Sequence, residues 1–122
     1  MKIDVIIPTY NGERTIERAI NSIQNQKVPT GVKVNIIICD DCSEDQTTSI
    51  AQRMNVHKIY RNKRNSGGPN WGRNMGIKKS KANVIAFLDQ DDEWLPDKLE
   101  QQIEKINEGA ELVGSWNVIR ME

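Results

Sequence analysis

The chain has 122 residues, enough for one domain with a single core. Lysine plus arginine equals aspartate plus glutamate, 17 against 17, so no overall field draws it to nucleic acid or to an anionic membrane. No window approaches the ~18 consecutive apolar residues of a membrane helix, and MKIDVIIPTY reads as a first strand instead of a signal peptide, so a soluble cytoplasmic protein is expected.

Ile3 to Pro8 is apolar except for Asp4, the pattern of a strand covered on both faces. Ile16, Ala19, Ile20 and Ile23, spaced i, i+3, i+4, i+7, predict an amphipathic helix. Asn11 or Gly12 would open it, with Glu13 near the positive end of its dipole. After a turn at Pro29 to Gly31, Val34 to Cys39 (VNIIIC) is a second buried strand. Ser43 and Gln46 have capping-box spacing and predict a helix from Asp45 to Met54.

Val56 to Arg61 alternates weakly and reads as a third strand. The basic run around it, with Lys58, Arg61, Lys63 and Arg64, is either a solvated loop or a phosphate-facing one. Asn65 to Gly72 (NSGGPNWG) carries three glycines and a proline and predicts a loop. A short helix from Arg73 to Lys79 leads into a fourth strand, Val84 to Leu88. Pro96 suits the first turn of a helix that buries Leu99, Ile103 and Ile106 and stops at Gly109. Leu112 to Ile119 is a last extended segment. Strands and helices in alternation predict a three-layer αβα sandwich over residues 1–122, built on a mostly parallel, doubly wound, Rossmann-like sheet.

Ligands of open α/β sheets bind beyond the carboxyl ends of the strands. Those ends deliver Pro8 and Tyr10, then Asp40 and Asp41, then FLDQDDEW, Phe87 to Trp94. The last stretch packs Asp89, Asp91, Asp92 and Glu93 into five positions, a repulsive cluster that needs a cation, a basic side chain or good screening. Each part suits a nucleoside diphosphate. Tyr10 offers a flat face to a base, and Asp41 can accept an N–H from the base edge. Arg73 offers a planar fork to phosphate oxygens, and the glycines let backbone come close. Asp89 and Asp91 can hold Mg²⁺ or Mn²⁺ through hard oxygens.

Other chemistries compete for the same residues. Counted from Asp89, an EF-hand loop would find acids at its third, fifth, ninth and twelfth positions, but Trp94 stands where the sharp turn needs glycine. An aspartyl-phosphate site of the receiver or phosphatase kind lacks an evident supporting lysine. The plainest alternative is an acidic turn capping the helix after Pro96. Cys39 and Cys42 form a C-x-x-C at a strand end, yet Asp40 and Asp41 between them would raise a thiol pKa, so small packed residues are expected instead of a redox or metal site.

Four segments in order, VIIPTYNGERTIERAINSIQNQ, CDDCSEDQT, NSGGPNWGRNMGI and FLDQDDEWLPDKL, resemble the family-2 glycosyltransferases of the GT-A fold over nearly the whole chain. The resemblance implies transfer of a sugar from a nucleotide-sugar donor, UDP by family habit, to an acceptor hydroxyl with inversion. It implies Mn²⁺ or Mg²⁺ to stabilise charge on the leaving diphosphate. It places Pro8 and Tyr10 in the base pocket, Asp41 on the base, Arg73 on phosphate, Asp89 at the ribose or metal, and Asp91 on the metal. Saccharide, lipid-linked and protein acceptors all occur in the family, and a lipid carrier would add peripheral attachment to a membrane. The family's acceptor-binding half, with its carboxylate base, has no counterpart here. The expected unit is therefore an incomplete, donor-binding part, with a non-catalytic nucleotide-sugar-binding module as the rival. An exposed sheet edge in such a part could drive formation of a homodimer. Two departures are expected to be mild: Cys42 where glycine is commonest, and Gly72 where alanine is common.

Overall fold

In this computed structural model, residues 1–109 are described, together with the backbone of 112–113 and 118–120. The elements in chain order are β1 (Lys2–Thr9), α1 (Ile16–Gln24), β2 (Lys33–Asp40), α2 (Thr47–Arg53), β3 (Lys58–Arg61), α3 (Asn70–Lys79), β4 (Val84–Phe87), α4 (Lys98–Asn107), β5 (Leu112–Val113) and β6 (Val118–Arg120). They form one sheet in the order β3-β2-β1-β4-β6-β5. The first four strands run parallel, while β6 is antiparallel to β4 and to β5. The expected mostly parallel αβα sandwich is therefore present. The single extended segment expected over Leu112 to Ile119 is instead two short strands, 112–113 and 118–120, and the part of the expectation between them lies outside the described residues.

Residues Ile3 to Thr9 of β1 are all buried, which explains a continuous apolar run in place of alternation. One face of the sheet, with Ile3, Val5, Ile7, Ile36, Ile38 and Val84, packs against Ile16, Ile20 and Ile23 of α1, Ala51 of α2, and Leu99, Ile103 and Ile106 of α4. The other face, with Ile6, Ile37, Cys39, Ile85 and Phe87, meets Trp71 and Met75 of α3. Asp4 interrupts the run because it lies toward the end of α3, where its carboxylate accepts from Ser80 Oγ at 2.6 Å and from Asn35 Nδ2 at 3.2 Å.

Helix α3 sits close to the sheet because Gly72 and Gly76, one turn apart, face it. A Cβ at 72 would lie 2.9 Å from Pro8 Cβ and 3.2 Å from the Cys39 carbonyl oxygen; one at 76 would lie 2.4 Å from Ile6 Cδ1. Gly72 thus has a packing reason that its local sequence does not disclose.

Several helix starts differ from expectation. Helix α3 begins at Asn70, ahead of Arg73. Helix α2 begins at Thr47 because the Asp45 carboxylate accepts the Thr47 N–H at 2.9 Å and also its hydroxyl, whereas Ser43 is engaged by Asp40 and caps nothing. Helix α1 begins at Ile16; the Gly12 carbonyl accepts from Thr15 and Ile16 in a preceding turn, and Glu17 instead of Glu13 occupies the first helical turn. Pro96 stands just outside α4, and its carbonyl accepts from Lys27 N at 3.0 Å. Gly109, at φ +105°, ends that helix region as expected.

Gly76→Ala gains roughly 1 kcal/mol of helix propensity but drives a methyl into the fully buried Ile6. A net loss of about 1–2 kcal/mol in urea unfolding is expected, with a smaller loss in an Ile6→Ala background, where all three clashing side-chain atoms are gone. Equal losses in both backgrounds would mean that α3 does not rest on Ile6 through position 76.

Candidate functional site

Parallel register, with Thr9 opposite Asp40 and Ile6 opposite Phe87, brings the ends of β1, β2 and β4 to one edge. The chain leaves β1 toward β2 on one side and returns as β4 on the other, so this edge holds the topological switch point. The start of α3 reaches the same edge, where Gly72 rests on Pro8. A cleft of about 400 Å³ opens there, lined by Pro8, Thr9, Tyr10, Cys39, Asp41, Asn65, Gly67, Gly68, Pro69, Gly72, Arg73, Asp89, Gln90 and Asp91. It collects every residue expected of the site, namely Pro8, Tyr10, Asp41, Arg73, Asp89 and Asp91. Tyr10 is 43% exposed.

The loops after β1 and β2 are joined by side chain to backbone bonds. Asn11 N donates to Ser43 Oγ at 2.8 Å, Gly12 N to Thr47 Oγ1 at 2.8 Å and Glu13 N to Asp45 Oδ2 at 3.2 Å. In return, Glu44 N donates to Asn11 Oδ1 at 2.9 Å and Gln46 N to Glu13 Oε2 at 3.1 Å. Asp40 lies beneath them, fully buried, accepting from Thr9 Oγ1 at 2.7 Å, Ser43 N at 2.8 Å and Ser43 Oγ at 2.6 Å. Arg61 Nε stands 3.9 Å from it.

Asp41 borders the cleft, but its carboxylate is turned to the following loop. It accepts from Ser66 Oγ at 2.7 Å, Asn62 Nδ2 at 2.9 Å, Ser66 N at 3.0 Å and Asn65 Nδ2 at 3.3 Å. Burial pushes its pKa up, but the bonds from Ser66 and Asn62 outweigh that and hold it below the usual carboxylate range. The base contact expected of Asp41 would therefore share oxygens that already order residues 62–66. Asn62, Asn65 and Ser66 were not singled out by sequence reasoning; an Asn-Ser-Gly turn was the signal available.

Burial pushes the Cys39 thiol up to about 12, so burial itself, and not the neighbouring acids, disqualifies it as a redox thiolate. Both cysteines are free thiols. Cys42 takes φ +69°, the left-handed conformation that explains why glycine suits this turn.

Asp89, Asp91 and Asp92 are exposed, and one oxygen from each lies within 4.8 Å of the others. Asp92 is an addition to the pair expected from sequence. Arg73 Nη2 meets Asp89 Oδ1 at 3.2 Å, and Arg18 Nη2 donates to the Asp91 carbonyl at 2.8 Å. Lys98 lies 5.6 Å over the Trp94 ring; burial lowers its pKa, and the charge of Asp92 opposes that. Strand β4 precedes the cluster and Trp94 is core, so an EF-hand is absent. The three aspartates do not cap α4 either, since its N-cap is Asp97.

The sequence profile of Glycosyl transferase family 2 matches residues 4–122. The chain belongs to this family. It is 38% identical over 112 residues to the GalNAc(5)-diNAcBac-PP-undecaprenol beta-1,3-glucosyltransferase of Campylobacter jejuni, covering 88% of this chain and 35% of that protein. To the poly(ribitol-phosphate) beta-N-acetylglucosaminyltransferase TarS of Staphylococcus aureus it is 38% identical over 96 residues, 75% of this chain and 16% of that one. The chain thus spans about a third or less of these family-2 relatives. The crystal structure of TarS 1-349 in complex with UDP-GlcNAc superposes with a TM-score of 0.81 at 33% identity, over 88% of this chain and 32% of that one. The GT-A fold expected from sequence is the fold found.

Asp41 holds its proton less readily in the folded protein, so the stability it lends is present above its ordinary value of 3.8 and is lost as pH falls through the lower folded value. Urea unfolding of Asp41→Asn against wild type should therefore show its full deficit near about pH 7 and a shrinking one below about pH 4. A deficit independent of pH would mean that the charge on Asp41 does not matter to the loop. At the adjacent turn, Cys42→Gly is expected to raise stability by about 0.5–1 kcal/mol in the same assay, because it removes a left-handed Cβ penalty. An unchanged or lower stability would show that the turn bears no strain.

Proposed function

We propose that the chain is the donor-binding part of a glycosyltransferase. It holds a nucleoside diphosphate sugar, a UDP-sugar, at the β1/β4 switch point and presents the anomeric carbon to an acceptor hydroxyl for inverting transfer. One observation carries this: an exposed aromatic ring, an arginine fork and two acids of a three-carboxylate cluster line a single cleft of about 400 Å³. The names of relatives acting on undecaprenol-linked saccharides favour a lipid-linked saccharide as acceptor.

The donor set fits a hard divalent cation, Mn²⁺ or Mg²⁺. Asp89, Asp91 and Asp92 offer only carboxylate oxygens, are exposed and close enough to share one ion, and Asp89 and Asp91 line the cleft, where diphosphate oxygens would complete the shell. When bound, the cation supplies positive charge for the departing diphosphate. The chain's own residues do the positioning. Tyr10 stacks on the base, with Pro8 beneath the pocket floor. Arg73 turns its fork from Asp89 to a phosphate oxygen, where a planar bidentate donor is worth more than a point charge. The loop ordered by Asp41 forms the wall at Gly67 and Gly68, where backbone can approach the ligand closely. The proton of the acceptor hydroxyl goes to a base outside this set.

Calorimetric titration of UDP, GDP and TDP, with and without Mn²⁺, tests the reading. UDP is expected to bind, Mn²⁺ to tighten it by about tenfold or more, and Asp91→Ala to abolish that gain, since one ligand lost from a three-carboxylate site removes much of its affinity. If none of the three nucleotides binds under either condition, the donor-site assignment fails.

A further inference from the structure

At the switch point the backbone ladder between β1 and β4 runs out. Its last rung is Leu88 N donating to Ile6 O at 3.0 Å. Beyond it the β4 chain curls into the acidic turn, closed by Asp92 N on Asp89 O at 3.0 Å, while the β1 chain continues through Tyr10. Tyr10 would be left with a peptide donor and acceptor and no strand beside them. Gln90 meets both groups. Its Oε1 accepts from Tyr10 N at 2.8 Å, and its Nε2 donates to Tyr10 O at 2.9 Å. A carboxamide carries the same donor and acceptor pair as a peptide unit, so this side chain acts as one more rung of the ladder.

The pairing is also built in from the other side. Gly12 has no side chain, and a Cβ there would fall 2.4 Å from Gln90 Oε1 and 2.7 Å from its Cδ. The residue two places after the stacking ring is thus small where the amide must pass. Gln90 also sits between Asp89 and Asp91. Because the turn from Asp89 to Asp92 is closed by its own backbone bond, tying Gln90 to Tyr10 fixes where the turn as a whole, with both acids on it, stands beside the ring.

We infer that Gln90 is a positioning residue that sets the separation between the base-stacking ring of Tyr10 and the metal-binding acids Asp89 and Asp91, so that one nucleoside diphosphate can reach both. This rests on the donor-site reading. A base platform and a metal site at a fixed separation bind a rigid diphosphate bridge better than two sites free to drift, because less freedom is lost on binding. Only glutamine meets the requirement in full. Glutamate can accept from Tyr10 N but cannot donate to Tyr10 O, and asparagine is a methylene short.

The test uses the whole chain with UDP and Mn²⁺ as probes. Gln90→Met keeps the length and loses both hydrogen bonds. Gly12→Ala displaces the amide without altering Gln90 or any acid. The first readout is hydrogen exchange of the Tyr10 amide by NMR, which should quicken by about tenfold in each variant once its acceptor is withdrawn. The second is affinity. UDP binding in the presence of Mn²⁺ should weaken by about tenfold, while Mn²⁺ binding without nucleotide stays within about twofold of wild type. The double variant should be no worse than either single one, because both remove the same link.

Wild-type UDP affinity in either variant, with the Tyr10 amide exchanging faster, overturns the inference and leaves the donor site standing. So does an unchanged Tyr10 exchange rate in both variants, or a fully additive double variant. If wild-type protein binds no UDP at all, the donor-site reading falls first and the inference with it. Should Gln90→Met not fold, Gly12→Ala alone decides through the same two readouts.

Discussion

The carboxyl edge of a parallel sheet leaves backbone groups with no strand to pair them, and everything functional in this chain stands on how that edge is satisfied. The buried carboxylate of Asp40 is the anchor. It takes the hydroxyl of Thr9 at the end of β1 and both the N–H and the hydroxyl of Ser43 beyond β2. Ser43, held in that way, accepts from Asn11 N, and Asn11 Oδ1 accepts from Glu44 N. The position of Tyr10, one residue before Asn11, is thus set from beneath. Withdrawing one partner from a buried set of this kind costs about 1–3 kcal/mol for each group left unpaired, and here the damage would fall on the two loops that border the cleft.

The acids divide by where their strands leave them. Those after β2 are turned inward and used up, Asp40 on the strand ends and Asp41 on residues 62–66. Those after β4 remain exposed, with oxygens facing one another. The same residue type therefore serves two ends, and burial decides which. A carboxylate that accepts three or four short bonds from hydroxyls and amides is a structural acceptor whatever its charge could otherwise attract. One that is exposed beside two other carboxylates keeps most of its lone pairs open to solvent.

The sheet and the location of the site were legible in the sequence because both rest on local pattern. Unbroken Ile and Val runs give buried strands, and unusual polar residues directly behind each run land on one edge in a parallel sheet. What escaped was settled by residues far away in the chain. The segment Asn70 to Gly72 looks like loop, since glycine and proline punctuate it; it is helix, and Gly72 stands there because Pro8 and the Cys39 carbonyl leave room for nothing larger, not because the chain turns. The capping-box spacing at Ser43 was real, yet Asp40 competed for the hydroxyl, and the first helical N–H, that of Thr47, is accepted instead by Asp45, one residue before the N-cap Gln46. Gln90 passed as a spacer between acids because its partner lies 80 residues away. The end of the sheet was misjudged for a simpler reason: eight residues with several apolar side chains were read as one strand, where two short antiparallel strands stand.

The charge at the end of β4 can now be explained without invoking any single counter-ion. Two unit charges 4.8 Å apart repel by about 1 kcal/mol in bulk water, and by a few times that at the lower effective dielectric of a protein surface. Against this stand Arg73 on Asp89 and Lys98 near Asp92, with Arg18 on the backbone of the same turn. Among the described residues Asp91 forms no ion pair, so the compensation is partial and its remainder falls on the central acid. A site poised in this way favours an arriving divalent cation, and it already contains the cation that the accompanying diphosphate needs. A divalent cation held by Asp89 would release Arg73 toward phosphate oxygens. Charges change partners, and none is stranded. That exchange requires the acids and the arginine to be close without being buried, and Arg73 and Asp89, with side chains 40% and 52% exposed, meet that condition.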